Sequence, residues 1–284
     1  MKDSSLSYKV FFEHETSRMI FQGAQPSDIK KVFDNTEEEE DWINNWSQLA
    51  KKEEIEGDSD RKRSFMNSAY NRYLRASNYY NLAQYHILKD SPTKKKFIKK
   101  SIEVYKKAIK LKENKIKEVK IRYKDIEITG YLHLPEGVES APCVVCIPGL
   151  PHTKENMHNW CQCGVESGLA VFIADGPGYG ETRVLKDKAL NFKDFTEYIQ
   201  IVVDSLSSLN VIDSDKIGVL GDCFGGYLAF KSLLEEKRIK VCAIIEGILD
   251  ATEYKIKGDP LPDLIRYYVE ENELDNFCFI VKSN

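Results

Sequence analysis

The chain has 284 residues, of which 42% are hydrophobic and 30% are charged, and its formal net charge at pH 7 is -4. This length allows one large domain or two of ordinary size. A slightly acidic chain is a poor candidate for nucleic-acid binding, which usually needs a basic surface. No run reaches the roughly 18 apolar residues of a membrane span, and residues 1–10 show no basic region followed by an apolar run, so we expect neither insertion nor secretion. We expect a cytoplasmic protein that binds neither nucleic acid nor membrane.

The seven cysteines do not suggest a disulfide framework, because their number is odd and nothing marks export. Cys143 and Cys146 lie in an apolar run typical of a buried strand, where residues three apart point to opposite faces, so a shared metal is not expected. The sequence predicts no metal site and no cofactor. Four further cysteines are expected to be buried: Cys161, Cys163, Cys242 and Cys278.

Residues 1–118 carry helical patterns and predict a helical domain. An acidic stretch at 37–41 precedes Trp42, which favours a helix start with carboxylates in its first turn. Apolar and aromatic residues from 60 to about 88 recur at helical spacing and predict one long helix. Ser91 and Pro92 open another helix, whose lysine-rich side is interpreted as a solvated face.

The period changes from helical to alternating at residue 119. Alternation across Lys124 and Asp125 predicts an antiparallel hairpin, with His133 on its exposed polar side. Four apolar runs follow, separated by helical patterns at 154–168, 192–210 and 224–237. The runs cover residues 143–147, 169–174, 216–220 and 239–245. Buried strands that alternate with helices predict a mostly parallel, doubly covered sheet, hence an α/β domain over residues 119–284.

Three loops at the carboxyl ends of these strands are candidates for chemistry. Residues 221–226 read G-D-C-F-G-G between a predicted strand and helix, which is the pattern of a nucleophile elbow with Cys223 in place of serine. A helix N-terminus favours the thiolate, whereas a nearby Asp222 carboxylate opposes it. The alternative is that Cys223 is a buried thiol at an ordinary strand-to-helix turn.

An elbow needs two backbone N–H groups to hold an oxyanion. Phe224 supplies the first. In the loop at 148–153, Pro151 has no N–H, so Leu150 is the expected second donor and His152 the reserve. The alternative is a plain turn with Thr153 as helix N-cap.

The glycines of the third loop, at 175–182, do not fit a nucleotide cradle. The third glycine comes one residue too early for a dinucleotide fingerprint, and no helix is predicted to open on the loop.

In these motifs the chain resembles the α/β-hydrolase superfamily. The motifs are Pro148–Leu150, Thr153–Glu155, Asp175–Gly178 and Gly221–Gly226. It is similar to the group that contains 2,6-dihydropseudooxynicotine hydrolase and fermentation–respiration-switch-like esterases. Residues 69–83 resemble the long helix in the N-terminal domain of that group. The resemblance implies an α/β-hydrolase core behind a helical domain, acting on an ester, thioester or activated C–C bond of a small molecule. The family usually has serine at the elbow, and dienelactone-hydrolase-like relatives have cysteine there.

The family places its acid and histidine after the nucleophile, but this chain has no histidine beyond residue 158. We therefore expect the hydrolase core to be truncated before its last strands, and to have little or no turnover. His152 is a candidate surrogate base, although a partly exposed loop histidine without a catalytic role is the simpler interpretation. His158 and three later carboxylates are weaker candidates: Asp250, Glu253 and Asp259. The alternative function is a non-catalytic pseudoenzyme or interaction scaffold, and an exposed sheet edge would favour a homo-oligomer.

Overall fold

A computed structural model describes residues 15–112, 115–245 and 247. These residues fall into two compact units, which meet in sequence at residues 113 and 114. The first unit is helical and the second is an α/β sheet domain.

Four helices follow the helical residues 15–21 in the first unit: α1 (Pro26–Asp34), α2 (Glu39–Lys62), α3 (Met66–Gln84) and α4 (Pro92–Ile109). The acidic start predicted for α2 is confirmed, because Glu38 and Asp41 form a reciprocal capping box. The Ser91 side chain accepts from the Lys94 N–H and caps α4, as its sequence predicts. Helix α3 packs against both α2 and α4.

Two expectations for this unit are wrong. The long helix predicted from residue 60 is divided, because α2 continues to Lys62 and Ser64 adopts a left-handed φ of 64° before α3 begins. The lysine side of α4 is not wholly solvated either. Lys94 is completely buried, and its Nζ donates to Gln84 Oε1 at 2.7 Å and to the Ile87 carbonyl at 2.8 Å. These acceptors compensate the buried ammonium.

The second unit contains six strands and four helices among the described residues. The strands are β1 (Ile116–Tyr123), β2 (Ile126–His133), β3 (Ala141–Ile147), β4 (Ala170–Ala174), β5 (Ile212–Asp222) and β6 (Ile239–Ile245). The helices are α5 (His158–Glu166), α6 (Gly180–Lys186), α7 (Phe192–Ser207) and α8 (Phe224–Glu235). The strand order is β1-β2-β4-β3-β5-β6.

The predicted sheet is confirmed in its hairpin and in its parallel strands. β1 pairs with β2 antiparallel across Lys124 and Asp125, and the strands from β3 to β6 pair in parallel. All five residues of β4 are buried, because helices cover both faces. Val171 meets Gly164 of α5, whereas Phe172 shares a cavity with Tyr198 of α7.

His133 was predicted to be exposed, but it is completely buried. Strand β2 pairs with β4 as well as β1, and α5 lies over the end that carries His133. The His133 ring lies 5.3 Å from that of His158, and its Nδ1 is 3.1 Å from Nε2 of Gln162. Burial lowers the pKa of His133 well below its ordinary value.

The cysteines follow the predicted burial only in part. Cys143 and Cys146 of β3 and Cys161 of α5 are buried. Cys163 is exposed, because it lies two residues further around α5 and points away from the sheet. Cys242 is half-buried in β6, which has no further strand beside it among the described residues. Cys278 lies outside the described residues.

None of the described helices is both long and apolar enough to cross a membrane. The three later carboxylates named as weaker candidates lie outside the described residues: Asp250, Glu253 and Asp259.

Candidate active site

The sheet topology brings three loops to one edge. Strands β4, β3 and β5 are adjacent and parallel, so the loops that leave their carboxyl ends start side by side. A Cβ atom at Gly149, after β3, would lie 2.9 Å from the Cβ of Cys223, after β5, and 3.1 Å from Oδ2 of Asp222. Gly149 therefore lets the loop after β3 pass directly against the turn that carries the thiol.

Cys223 occupies a sharp turn between β5 and α8. Its φ is 50° and its ψ is -118°, a conformation that residues other than glycine rarely adopt. Its N–H donates to the Ile245 carbonyl at 2.8 Å, and its carbonyl accepts from the Gly226 N–H at 2.9 Å. The thiol is partly exposed. The backbone conformation is that of a nucleophile elbow.

The elbow glycines are required by close backbone packing. A side chain at Gly221 would collide with the backbone of Gly225 and Gly226. A Cβ at Gly225 would collide with the carbonyls of Ile147 and Pro148, the first of which ends β3. Helix α8 therefore starts directly against the loop after β3, as the G-x-C-x-G pattern predicts.

The two expected oxyanion donors lie on either side of this contact. Phe224 is the first residue of α8 and is fully buried. No backbone hydrogen bond of the described residues uses the Leu150 N–H, whereas the His152 N–H donates to the Gly149 carbonyl at 2.9 Å. His152 is therefore not available as the reserve donor. Thr153 does not cap the next helix, because the N-cap of α5 is Met157.

The His152 side chain lies beside the residue that precedes the thiol. His152 is 2% exposed and Asp222 is 1% exposed, and the His152 Nδ1 lies 3.5 Å from the Asp222 Oδ2. The sequence identified both residues but did not predict their contact. The Gly149 turn produces it, because it folds His152 back over the end of β5.

A buried cluster of charges joins the loop after β3 to the loop after β4. Lys154 is completely buried, and its Nζ lies 2.9 Å from Asp175 Oδ2, 3.0 Å from Glu181 Oε2 and 3.1 Å from Glu155 Oε1. The Lys154 N–H also donates to Asp175 Oδ1 at 2.8 Å. We call these four residues the Lys154 cluster. Sequence reasoning missed it, although its members stand in two loops that the parallel order makes neighbours.

Burial and mutual contacts shift the pKa values of Lys154, Glu155 and Glu181. Burial opposes the charged amine, but the carboxylates of Asp175 and Glu155 outweigh it and raise the pKa of Lys154 well above its ordinary value. Burial raises the pKa of Glu155, against the opposing effect of Lys154. Burial has the same tendency at Glu181, but there Lys154 and Lys186 prevail and lower the pKa. Lys154 is thus held as a cation that ties the two loops together.

The prediction that no helix opens on the loop at 175–182 is wrong. Helix α6 begins at Gly180, and the Glu181 N–H donates to Asp175 Oδ2 at 2.8 Å. A protein carboxylate therefore meets the N-terminus of α6, where a nucleotide phosphate would bind in a cradle.

Tyr179 in the same loop is 1% exposed. Burial raises the pKa of Tyr179 well above its ordinary value, and the charges of Cys223 and Asp222 act in the same direction. The phenol is therefore neutral and can donate a hydrogen bond.

Two further histidines have other neighbours. His158 packs against His133, as described above, and His86 belongs to the helical unit. Within the described ranges, no three His, Cys, Asp or Glu side chains are grouped as metal ligands.

Comparison with known proteins identifies consistent relatives. The model of the family "Esterase FrsA-like" matches residues 30–258. The chain is 30% identical over 260 residues to 2,6-dihydropseudooxynicotine hydrolase of Paenarthrobacter nicotinovorans, covering 91% of this chain and 69% of the relative. It is 28% identical over 274 residues to alpha/beta hydrolase xenA of Xenoacremonium sinensis, covering 90% of this chain and 64% of that relative. It thus spans less than two thirds of the length of xenA.

Solved structures show the same fold. The crystal structure of 2,6-dihydroxy-pseudo-oxynicotine hydrolase superposes with a TM-score of 0.80 at 27% identity, covering 93% of this chain and 74% of that one. The structure of AbyA5 superposes with a TM-score of 0.67 at 16% identity, covering 91% of this chain and 70% of that one, and supports the fold alone.

Proposed function

This chain belongs to the FrsA-like esterase family of α/β-hydrolases, and from that premise we propose that Cys223 is the nucleophile of an acyl-hydrolase site. One observation carries the proposal: Cys223 has the left-handed φ of 50° between a strand and a helix that lifts an elbow side chain out of the turn. The substrate is a small molecule with an ester, a thioester or an activated C–C bond next to a carbonyl.

The proposed reaction has two steps. The Cys223 sulfur attacks the carbonyl carbon, a C–S bond forms, and the carbonyl electron pair moves onto oxygen, which the Leu150 and Phe224 N–H groups hold. The tetrahedral intermediate collapses, and the leaving group departs with a proton. Water then attacks the acyl-enzyme, which releases a carboxylic acid and restores the thiol.

His152 is the proposed surrogate base. An Nδ1–H directed at the Asp222 carboxylate leaves Nε2 as the proton acceptor of the imidazole, and Nδ1 lies on the Asp222 side at 3.5 Å. In this role Nε2 takes the proton of the Cys223 thiol during acylation. The same nitrogen is needed to activate water in the second step, so turnover is slow if it is poorly placed for water.

The test is p-nitrophenyl acetate hydrolysis, followed from the first turnover into the steady state. We expect about one p-nitrophenolate per chain in an initial burst, and then slow turnover. Cys223→Ala should lose the burst, Cys223→Ser should weaken it, and His152→Gln should slow it about 100-fold, as for loss of a general base. Cys163→Ala is the control for nonspecific acylation, because Cys163 is an exposed thiol.

Two results would contradict the proposal. A burst that survives in Cys223→Ala would show that another group reacts. Rapid steady-state turnover that both Cys223 variants abolish would refute the expectation of a weakly active site.

The alternative is a non-catalytic scaffold. It is favoured by the carboxylate of Asp222 next to Cys223, because a nearby negative charge disfavours a thiolate. Iodoacetamide labelling separates the two functions. Faster, saturable labelling of Cys223 than of exposed Cys163 supports a reactive elbow, whereas equally slow labelling of both supports a scaffold.

A further inference from the structure

The Tyr179 hydroxyl is a buried polar group that the described part of the fold does not use. Tyr179 is 1% exposed, and no described residue makes a hydrogen bond with its Oη. Its ring is fixed by packing against Phe195, with 6.1 Å between the ring centroids. A buried hydroxyl without a partner costs free energy, so such groups often mark a site where a ligand supplies the missing acceptor.

The cavity that Tyr179 lines adjoins the elbow through the end of β3 and the residue that follows it. Tyr179 and Tyr198 line one small cavity with Ile147 and Pro148, whose carbonyls lie against Gly225 of the elbow. The charges that act on Tyr179 are those of Cys223 and Asp222, whereas those that act on Tyr198 are Asp175 and Lys154. Both phenols are buried, but of the two only the Tyr179 hydroxyl is a fully buried group without a hydrogen-bond partner among the described residues.

We propose that Tyr179 is a substrate-contacting residue whose Oη donates a hydrogen bond to the bridging oxygen of an ester. The inference rests on the proposed function of Cys223 and narrows its substrate class. The carbonyl oxygen already has two donors, Leu150 and Phe224, so a third donor from the loop after β4 serves the neighbouring atom. Oxygen accepts this bond well and sulfur accepts it weakly, so the site favours oxygen esters over thioesters.

Acylation of Cys223 by two substrates that differ in one atom tests this role. The burst rate is measured with p-nitrophenyl acetate and with S-(p-nitrophenyl) thioacetate, for the wild-type chain, Tyr179→Phe and Tyr198→Phe. Tyr179→Phe should slow the ester reaction about tenfold, the effect of one lost hydrogen bond, and the thioester reaction less than about twofold. Tyr198→Phe is the matched control and should leave the ester-to-thioester ratio unchanged.

Thermal unfolding provides a readout that separates this role from a structural one. Tyr179→Phe removes only a hydroxyl that lacks a partner, so the midpoint should stay the same or rise. A lower midpoint with an unchanged ester-to-thioester ratio would show that Oη serves the fold, and equal slowing of both substrates would exclude contact with the bridging oxygen. If the wild-type chain shows no Cys223-dependent burst, the proposed function itself fails. If the burst is present and the ester-to-thioester ratio of its rates is the same in Tyr179→Phe as in the wild-type chain, only the role of Tyr179 is refuted.

Discussion

Replacement of Lys154 by methionine should destabilise the α/β unit, because it leaves carboxylates without their cation. Asp175 is 1% exposed and Glu155 is 5% exposed, and both have an oxygen within about 3 Å of the Lys154 Nζ, at 2.9 and 3.1 Å. Methionine keeps most of the length and apolar volume of the side chain. The substitution therefore isolates the charge.

The expected magnitude follows from this burial. Removing one member of a buried ion pair typically costs about 3–5 kcal/mol, because the remaining charge is neither hydrated nor compensated. At about 2–4 °C per kcal/mol for a domain of roughly 150 residues, the unfolding midpoint should fall by about 10 °C or more. Part of the cost is relieved by protonation of Glu155, whose pKa burial already raises.

Thermal unfolding at pH 7.5 measures the effect, with Lys186→Met as the control. Lys186 also contacts Glu181, at 3.0 Å, but it remains 24% exposed. Partly exposed pairs contribute about 1 kcal/mol or less, so the control should shift the midpoint by only a few degrees. Equal shifts in the two variants would refute the claim that burial makes the ion pairs of Lys154 more stabilising than that of Lys186. A stable Lys154→Met chain that keeps the Cys223 burst would also show that the cluster does not position the oxyanion loop.

Two further predictions concern the elbow and pH. Gly225→Ala should abolish the Cys223 burst and lower the unfolding midpoint, because the alanine Cβ would collide with the backbone carbonyls of Ile147 and Pro148. An unaffected burst would show that α8 can move aside. Burial lowers the pKa of His158 to about 4, whereas in the unfolded chain its pKa is near 6.5. The unfolded chain therefore binds the proton more readily, and the free energy of unfolding should fall as the pH falls from 6.5 towards 4. The expected loss is about 2 kcal/mol at pH 5. His158→Leu should remove that part of the loss in urea unfolding at pH 7 and 5, and an unchanged pH dependence would contradict this account.

The fold was predictable because its signals are local. The period change near residue 119, the turn at Lys124 and Asp125 and the four apolar runs each report burial of their own segment, and all are confirmed. The resemblance to α/β-hydrolases is confirmed by the family match and by the 0.80 TM-score. The conformation at Cys223 was predictable for the same reason, because glycine spacing records a steric requirement between neighbouring elements.

Side chains whose surroundings come from distant segments were not predictable in this way. His133 is buried because β4, about 40 residues later in sequence, pairs with its strand. Lys94 is polar in sequence, and yet it is buried because its Nζ reaches the side-chain oxygen of Gln84, the last residue of α3, and the carbonyl of Ile87. The Lys154 cluster joins residues more than twenty positions apart, and no periodicity in one segment reports such a contact.

The contact between His152 and Asp222 gives the expected slow turnover a structural cause. A triad is defined by geometry, not by the order of its members in the chain, so a histidine before the nucleophile is acceptable in principle. The base must nevertheless be held firmly, and 3.5 Å between Nδ1 and Oδ2 is longer than the roughly 2.7–3.2 Å of a good hydrogen bond. A loosely oriented imidazole serves acylation better than deacylation, because a bound substrate helps to align it for the first step and the acyl-enzyme has lost its leaving group by the second. An initial burst followed by slow turnover is the kinetic form of that difference.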